Sequence, residues 1–65
     1  MTKFKPTVDP NGKYELRDAA KALGIHKTTL NAYRVKGWIK SSVKKLNGRA
    51  VYSGADIIKF WQMYN

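Results

Sequence analysis

Between residues 26 and 35 the chain reads His-Lys-Thr-Thr-Leu-Asn-Ala-Tyr-Arg-Val, a run rich in groups that hydrogen-bond. Asn31 carries an amide with a donor beside an acceptor, the pattern that matches an adenine edge in a bidentate way. Lys27 and Arg34 are cations that can hold phosphate or reach guanine. Thr28 can bond a phosphate or meet a thymine methyl, Val35 adds an apolar contact, and His26 stands just ahead, suited to a phosphate. At about 100° per residue, Lys27, Thr28, Asn31, Ala32 and Val35 fall on one side of a helix. Thr29, Leu30 and Tyr33 fall on the other, with Arg34 at the flank. One side is therefore wettable.

A second set lies downstream. Lys44, Lys45, Asn47 and Arg49 surround Asn47-Gly48, the strongest short signal for a hairpin turn. A two-stranded ribbon built on that turn presents cations outward, and the Arg49 guanidinium suits a narrow minor groove. Lysines on a hairpin also discourage edge-to-edge aggregation. Arg17 and Lys21, on the outer side of the preceding helix, are expected against nucleic-acid backbone or water.

Other chemistries lack their parts. The sequence has no cysteine and one histidine, His26, so no disulfide and no zinc ligand set is expected. Ser41, Ser42 and Ser53 have no organised base to activate them. No catalytic residue, metal, cofactor or small-molecule substrate is expected.

Charge points the same way. Thirteen Lys and Arg face four acids, a net charge of +9. The acids are Asp9, Glu15, Asp18 and Asp56, which leaves residues 19–55 without a carboxylate. Such an excess works against the compact state by self-repulsion, and a polyanionic partner relieves it. Solubility alone is usually served by mixed signs. The expected partner is nucleic acid. RNA is the weaker choice, because the aromatics sit at core spacing and not as a stacking platform.

These side chains need elements to position them. Sixty-five residues make one domain, and a chain this short buries only about 60% of its unfolded surface. Residues 1–13 read as an N-terminal arm, frayed or in a loose hairpin about Asp9-Pro10-Asn11-Gly12. Residues 14–65 read as the folded domain. Leu16, Ala19, Ala20 and Leu23 recur at i, i+3, i+4 and i+7, a helical stripe. Gly24 ends that helix as a left-handed cap, and Ile25 drops into the core. The second helix runs from about Lys27 to Lys36 and is capped by Gly37.

Residues 39–46 and 49–52 then read as a hairpin. Ser53 to Asp56 resembles a capping box, with Asp in place of the usual Glu. Ile57, Phe60, Trp61 and Tyr64 form the stripe of a last helix. Trp38, Phe60, Trp61 and Tyr64 are expected in the core. The competing reading places one of Trp61, Met63 or Tyr64 outside as a protein contact, since adjacent Phe60 and Trp61 cannot both point fully inward. No apolar run reaches the roughly 20 residues that span a bilayer, and no signal-peptide pattern opens the chain. A soluble cytoplasmic protein associated with the nucleoid is expected.

The expected fold is mainly α with a small β-hairpin wing: three helices plus a two- or three-stranded antiparallel sheet. Ala20, Gly24 and Leu30 meet the steric demands of a helix-turn-helix, namely a small residue at the crossing, a glycine turn and an apolar anchor. The chain resembles the winged helix-turn-helix proteins related to phage and transposon excisionases and to the DNA-binding part of MerR-type regulators. The resemblance covers about Tyr14 to Trp61. It rests on Leu16-x-x-Ala19-Ala20-x-x-Leu23-Gly24-Ile25, Thr29-Leu30-x-x-Tyr33, Lys36-Gly37, Gly48-Arg49-x-Val51-Tyr52 and Asp56-Ile57-x-x-Phe60.

The resemblance implies double-stranded DNA as partner, with the second helix in the major groove and the wing on backbone or minor groove. It implies an excisionase-like architectural or recombination directionality factor, or a small transcriptional regulator of a mobile element. Copies would sit side by side on DNA, with a site-specific recombinase (integrase) as a further partner. Small-subunit terminase proteins of tailed phages carry a similar domain and give the alternative role. An alternative of another class is a basic protein-interaction module without DNA binding. Two positions depart from the family pattern. His26 replaces a capping Ser and is a poorer cap, so that end is expected to fray or to borrow another group. Ala32 stands where an arginine commonly contacts DNA, leaving Lys27 or Arg34 part of that work.

Overall fold

The computed structural model describes residues 2–43 and 48–64. Its elements in order are β1 (Lys13–Glu15), α1 (Leu16–Leu23), α2 (Lys27–Val35), β2 (Ser42–Val43), β3 (Ala50–Ser53) and α3 (Gly54–Tyr64). Three helices thus accompany one small antiparallel sheet of order β1-β3-β2. Tyr14 lies opposite Tyr52, and Ser42 opposite Val51. Val51 and Tyr52 are both buried. Neighbouring strand residues point to opposite faces, so the central strand is covered on both sides at that point.

Apolar spacing makes α1, and a glycine motif stops it. Ala19, Ala20 and Leu23 are buried and pack with Leu30, Ile39, Tyr52, Ile57 and Phe60 as one core. Gly24 takes the left-handed conformation (φ 71°), with Gly24 N–H donating to Lys21 O and Ile25 N–H to Ala20 O. This is the paired 5→2 and 6→1 closure of a Schellman turn. The end of α2 repeats it: Gly37 (φ 81°) donates to Arg34 O and Trp38 to Tyr33 O.

Three expectations are corrected. Residues 39–41 form no strand, because the chain leaves the Gly37 turn there and pairing begins only at Ser42. The remainder of that expected strand, residues 44–46, lies outside the described residues. The box at Ser53 forms by half. Ser53 Oγ accepts from Asp56 N–H at 3.1 Å, but the Asp56 carboxylate accepts the Ser53 hydroxyl proton at 2.9 Å. Aspartate is a methylene shorter than glutamate, and here it binds the hydroxyl in place of the backbone N–H.

The N-terminal segment is docked and not frayed. Thr2 N–H donates to Leu23 O at 3.0 Å, and Trp61 Nε1–H donates to Thr2 O at 2.9 Å. The turn at residues 9–12 does form, with Gly12 N–H on Asp9 O and Asn11 N–H on the Asp9 carboxylate. It also satisfies the start of α3, whose first amides have no partner within the helix. Gly54 N–H donates to Gly12 O, and Ala55 N–H to Pro10 O. A Cβ on Gly54 would stand 1.8 Å from Asp9 O, so only glycine permits that approach. No helix is long and apolar enough to cross a membrane among the described residues.

Candidate nucleic-acid interface

Within α2 the only buried residue is Leu30, wholly enclosed beneath the helix. Lys27, Thr28 and Ala32 are exposed, and Val35 is 72% exposed despite being apolar. Asn31 and Arg34 are half-buried at the margin.

The start of α2 does not lack a cap. His26 has extended backbone (φ −74°, ψ 147°), and its Nδ1 accepts from Thr28 N–H at 3.2 Å. The same nitrogen lies 3.1 Å from Thr28 Oγ1. An imidazole nitrogen reaches the position that a serine hydroxyl ordinarily fills. With Nδ1 accepting, the proton of the neutral ring sits on Nε2.

Arg49 of the downstream set meets the cations of α2 in one groove of about 550 Å³ between the start of α1, the flank of α2 and the start of β3. Arg17, Lys27, Arg34 and Arg49 line it together with Asn31. Two carboxylates, Glu15 and Asp18, line it as well, and Arg49 reaches Glu15 at 3.6 Å. Both partners are substantially exposed, where an ion pair adds little stability and mainly orients the guanidinium. Lys44, Lys45 and Asn47 lie outside the described residues.

Asn31 and Arg34 are bound to each other. Arg34 Nε and Nη2 both donate to Asn31 Oδ1, at 3.1 and 2.8 Å. Behind Arg34 sits the wholly buried Tyr52, whose hydroxyl has no hydrogen-bond partner among the described residues. Burial pushes the Tyr52 hydroxyl above the usual tyrosine range, against the opposing pull of the Arg34 guanidinium. Arg34 opposes the shift through its charge and its proximity to the hydroxyl, short of full hydrogen-bond geometry.

The aromatics are distributed differently from expectation. Phe60 is buried and Trp61 half-buried, but Trp38 is 43% and Tyr64 46% exposed. Trp38 stacks on Tyr33 at 5.1 Å and on Tyr64 at 5.6 Å, while Phe60 meets Tyr64 at 4.9 Å. The cause is the Schellman turn at Gly37. It lays the residue after the glycine against the residue three before the helix end, here Trp38 against Tyr33. Lys36 Nζ rests 4.7 Å from the Trp38 ring centroid. Met63 and Tyr64 are both exposed.

Reading the residues singly misses the Asn31–Arg34 fork, although their i,i+3 spacing on a helix carries the signal. It also misses Glu15 as a groove residue, for which the alternation Lys13-Tyr14-Glu15 is the only cue. No family model, curated protein or solved structure matches the chain.

Proposed function

We propose that this chain binds duplex DNA in a sequence-dependent way, as a winged helix-turn-helix protein without catalytic chemistry. In this reading α2 enters the major groove and the β2–β3 hairpin lies along backbone or minor groove. The observation that carries it is the state of α2. Leu30 is its one fully buried residue, with Tyr33 partly buried against the core, while Lys27, Thr28 and Val35 stand outward and Asn31 lies at the margin. A major groove about 12 Å wide admits a helix and rewards hydrogen-bonding side chains on its outer side. The net charge of +9 supplies the attraction to phosphate.

The role that fits a small DNA-binding domain of this kind is an excisionase-like architectural factor or a small regulator of a mobile element, acting at the nucleoid. Copies would bind side by side and help an integrase assemble. DNA recognition within a terminase small subunit uses the same contacts and is the alternative. The half-exposed Trp38 and Tyr64 favour a second reading, in which the chain also contacts protein.

Fluorescence anisotropy with a labelled duplex across a salt series tests the proposal. Affinity should fall with a log–log slope of about −0.9 per phosphate neutralised. Lys27→Ala should reduce that slope by about one contact, and changing Lys44 and Lys45 together to Ala should weaken all duplexes alike. Absence of duplex binding, or binding indifferent to salt, would overturn it.

A further inference from the structure

We infer that Arg34 sets the base preference of Asn31, turning it from an adenine reader into a reader of guanine. The inference rests on the proposed binding of duplex DNA by α2 and concerns what that helix selects. An amide oxygen has two lone pairs, and two N–H groups of Arg34 converge on Asn31 Oδ1, at 3.1 and 2.8 Å. Bonds from an ionised donor are about twice as strong as neutral ones. The two residues share one helix at i,i+3, so no loop has to be ordered to hold them together. Both are half-buried, and the guanidinium is flanked on its inner side by Tyr52.

The consequence is chemical. Bidentate recognition of adenine needs the amide oxygen to accept from N6–H and the amide nitrogen to donate to N7. With Oδ1 occupied, Asn31 retains only its NH₂ donors. Guanine offers two adjacent acceptors, O6 and N7, thymine offers one, and adenine offers N7 alone beside an N6–H donor that opposes the amide donors. Guanine is therefore the base that satisfies the pair as it stands. Arg34 is a positioning residue in this arrangement, because it acts on the base through Asn31 Oδ1.

Selection from a randomised duplex library with the full chain, for wild type, Arg34→Met, Arg34→Lys and Asn31→Ala, tests this. The wild type should select guanine at one position, and Asn31→Ala should lose that preference. Arg34→Met keeps the aliphatic stem and frees Oδ1, so the same position should change from guanine to adenine, a swing of about tenfold or more. Should that variant melt below the assay temperature, Arg34→Lys serves instead. Its single ammonium leaves a lone pair free, and the swing should have the same direction and smaller size. Adenine selected by the wild type, or guanine retained by Arg34→Met and Arg34→Lys, overturns the inference while leaving DNA binding intact. If Arg34→Met lost guanine without gaining adenine, Arg34 itself would be the reader, and the inference would also fail. A wild type that selects no duplex removes the proposed function itself.

Discussion

The two surfaces that flank α2 are held together in opposite ways. Along α2 polar groups are restrained by near neighbours, His26 by Thr28 and Asn31 by Arg34, and in the groove an exposed Arg49–Glu15 pair joins separate elements. On the aromatic side the restraint is long-range, with Trp38 and Tyr33 stacked beyond the Gly37 turn against Tyr64 and Phe60 of α3. The difference teaches where mutations should be felt. Asn31 and Arg34 are set by helical geometry and add little to the fold, so their loss should appear in binding. The ring ladder ties two helices together, so its loss should appear in stability.

Leu30 lies under both surfaces, and its removal should abolish the distinction. Leu30→Ala is expected to cost about 2–5 kcal/mol in denaturant melts, enough to unfold much of so small a domain. Trp38→Ala removes stacks on Tyr33 and Tyr64, each worth about 0.5–1.5 kcal/mol. The thermal midpoint should drop while duplex affinity of the folded protein stays unchanged. A parallel loss of affinity would join the two surfaces into one. His26→Ala should cost about 0.5–2 kcal/mol as a lost N-cap, and His26→Ser should restore it. Equal stability of the Ala variant would mean that the imidazole does not cap.

Tyr52→Phe gives the smallest effect and sharpens the boundary behind Arg34. It removes a buried hydroxyl without a partner, so stability should hold or rise by up to about 1 kcal/mol. It should also change the alkaline limb of the stability curve. The folded chain holds the Tyr52 proton more tightly than the unfolded chain. That contribution is therefore complete below the ordinary tyrosine pKa of 10.0 and is lost as pH rises through the raised value. Chemical denaturation at stepped pH should show a shallower alkaline decline in Tyr52→Phe than in the wild type.

How much of this was legible in the sequence depends on which atoms carry the information. The α1 stripe of Leu16, Ala19, Ala20 and Leu23 and the stop at Gly24 are side-chain signals, and both appear where the spacing puts them. The docking of residues 2–12 runs largely through the backbone of Thr2, Pro10 and Gly12, joined by the Trp61 indole N–H and by Val8 packed against the core. Backbone bonds leave little mark in residue type, and the glycine at position 54 that permits them reads equally as a turn. Residue type alone puts Trp38 in the core, whereas a turn geometry holds it against Tyr33 at the surface. At the candidate site, the face of α2 followed from periodicity. The fork did not, because it belongs to the Asn31–Arg34 pair and not to either residue type alone.

The central claim, that the outer side of α2 and the neighbouring Arg49 meet duplex DNA, is tested most directly by an amide NMR titration of the chain with a short duplex. Shift changes should concentrate at Lys27, Thr28, Asn31, Arg34, Val35 and Arg49, with Trp38, Phe60 and Tyr64 left still. Changes centred on Trp38 and Tyr64 with α2 silent would contradict it.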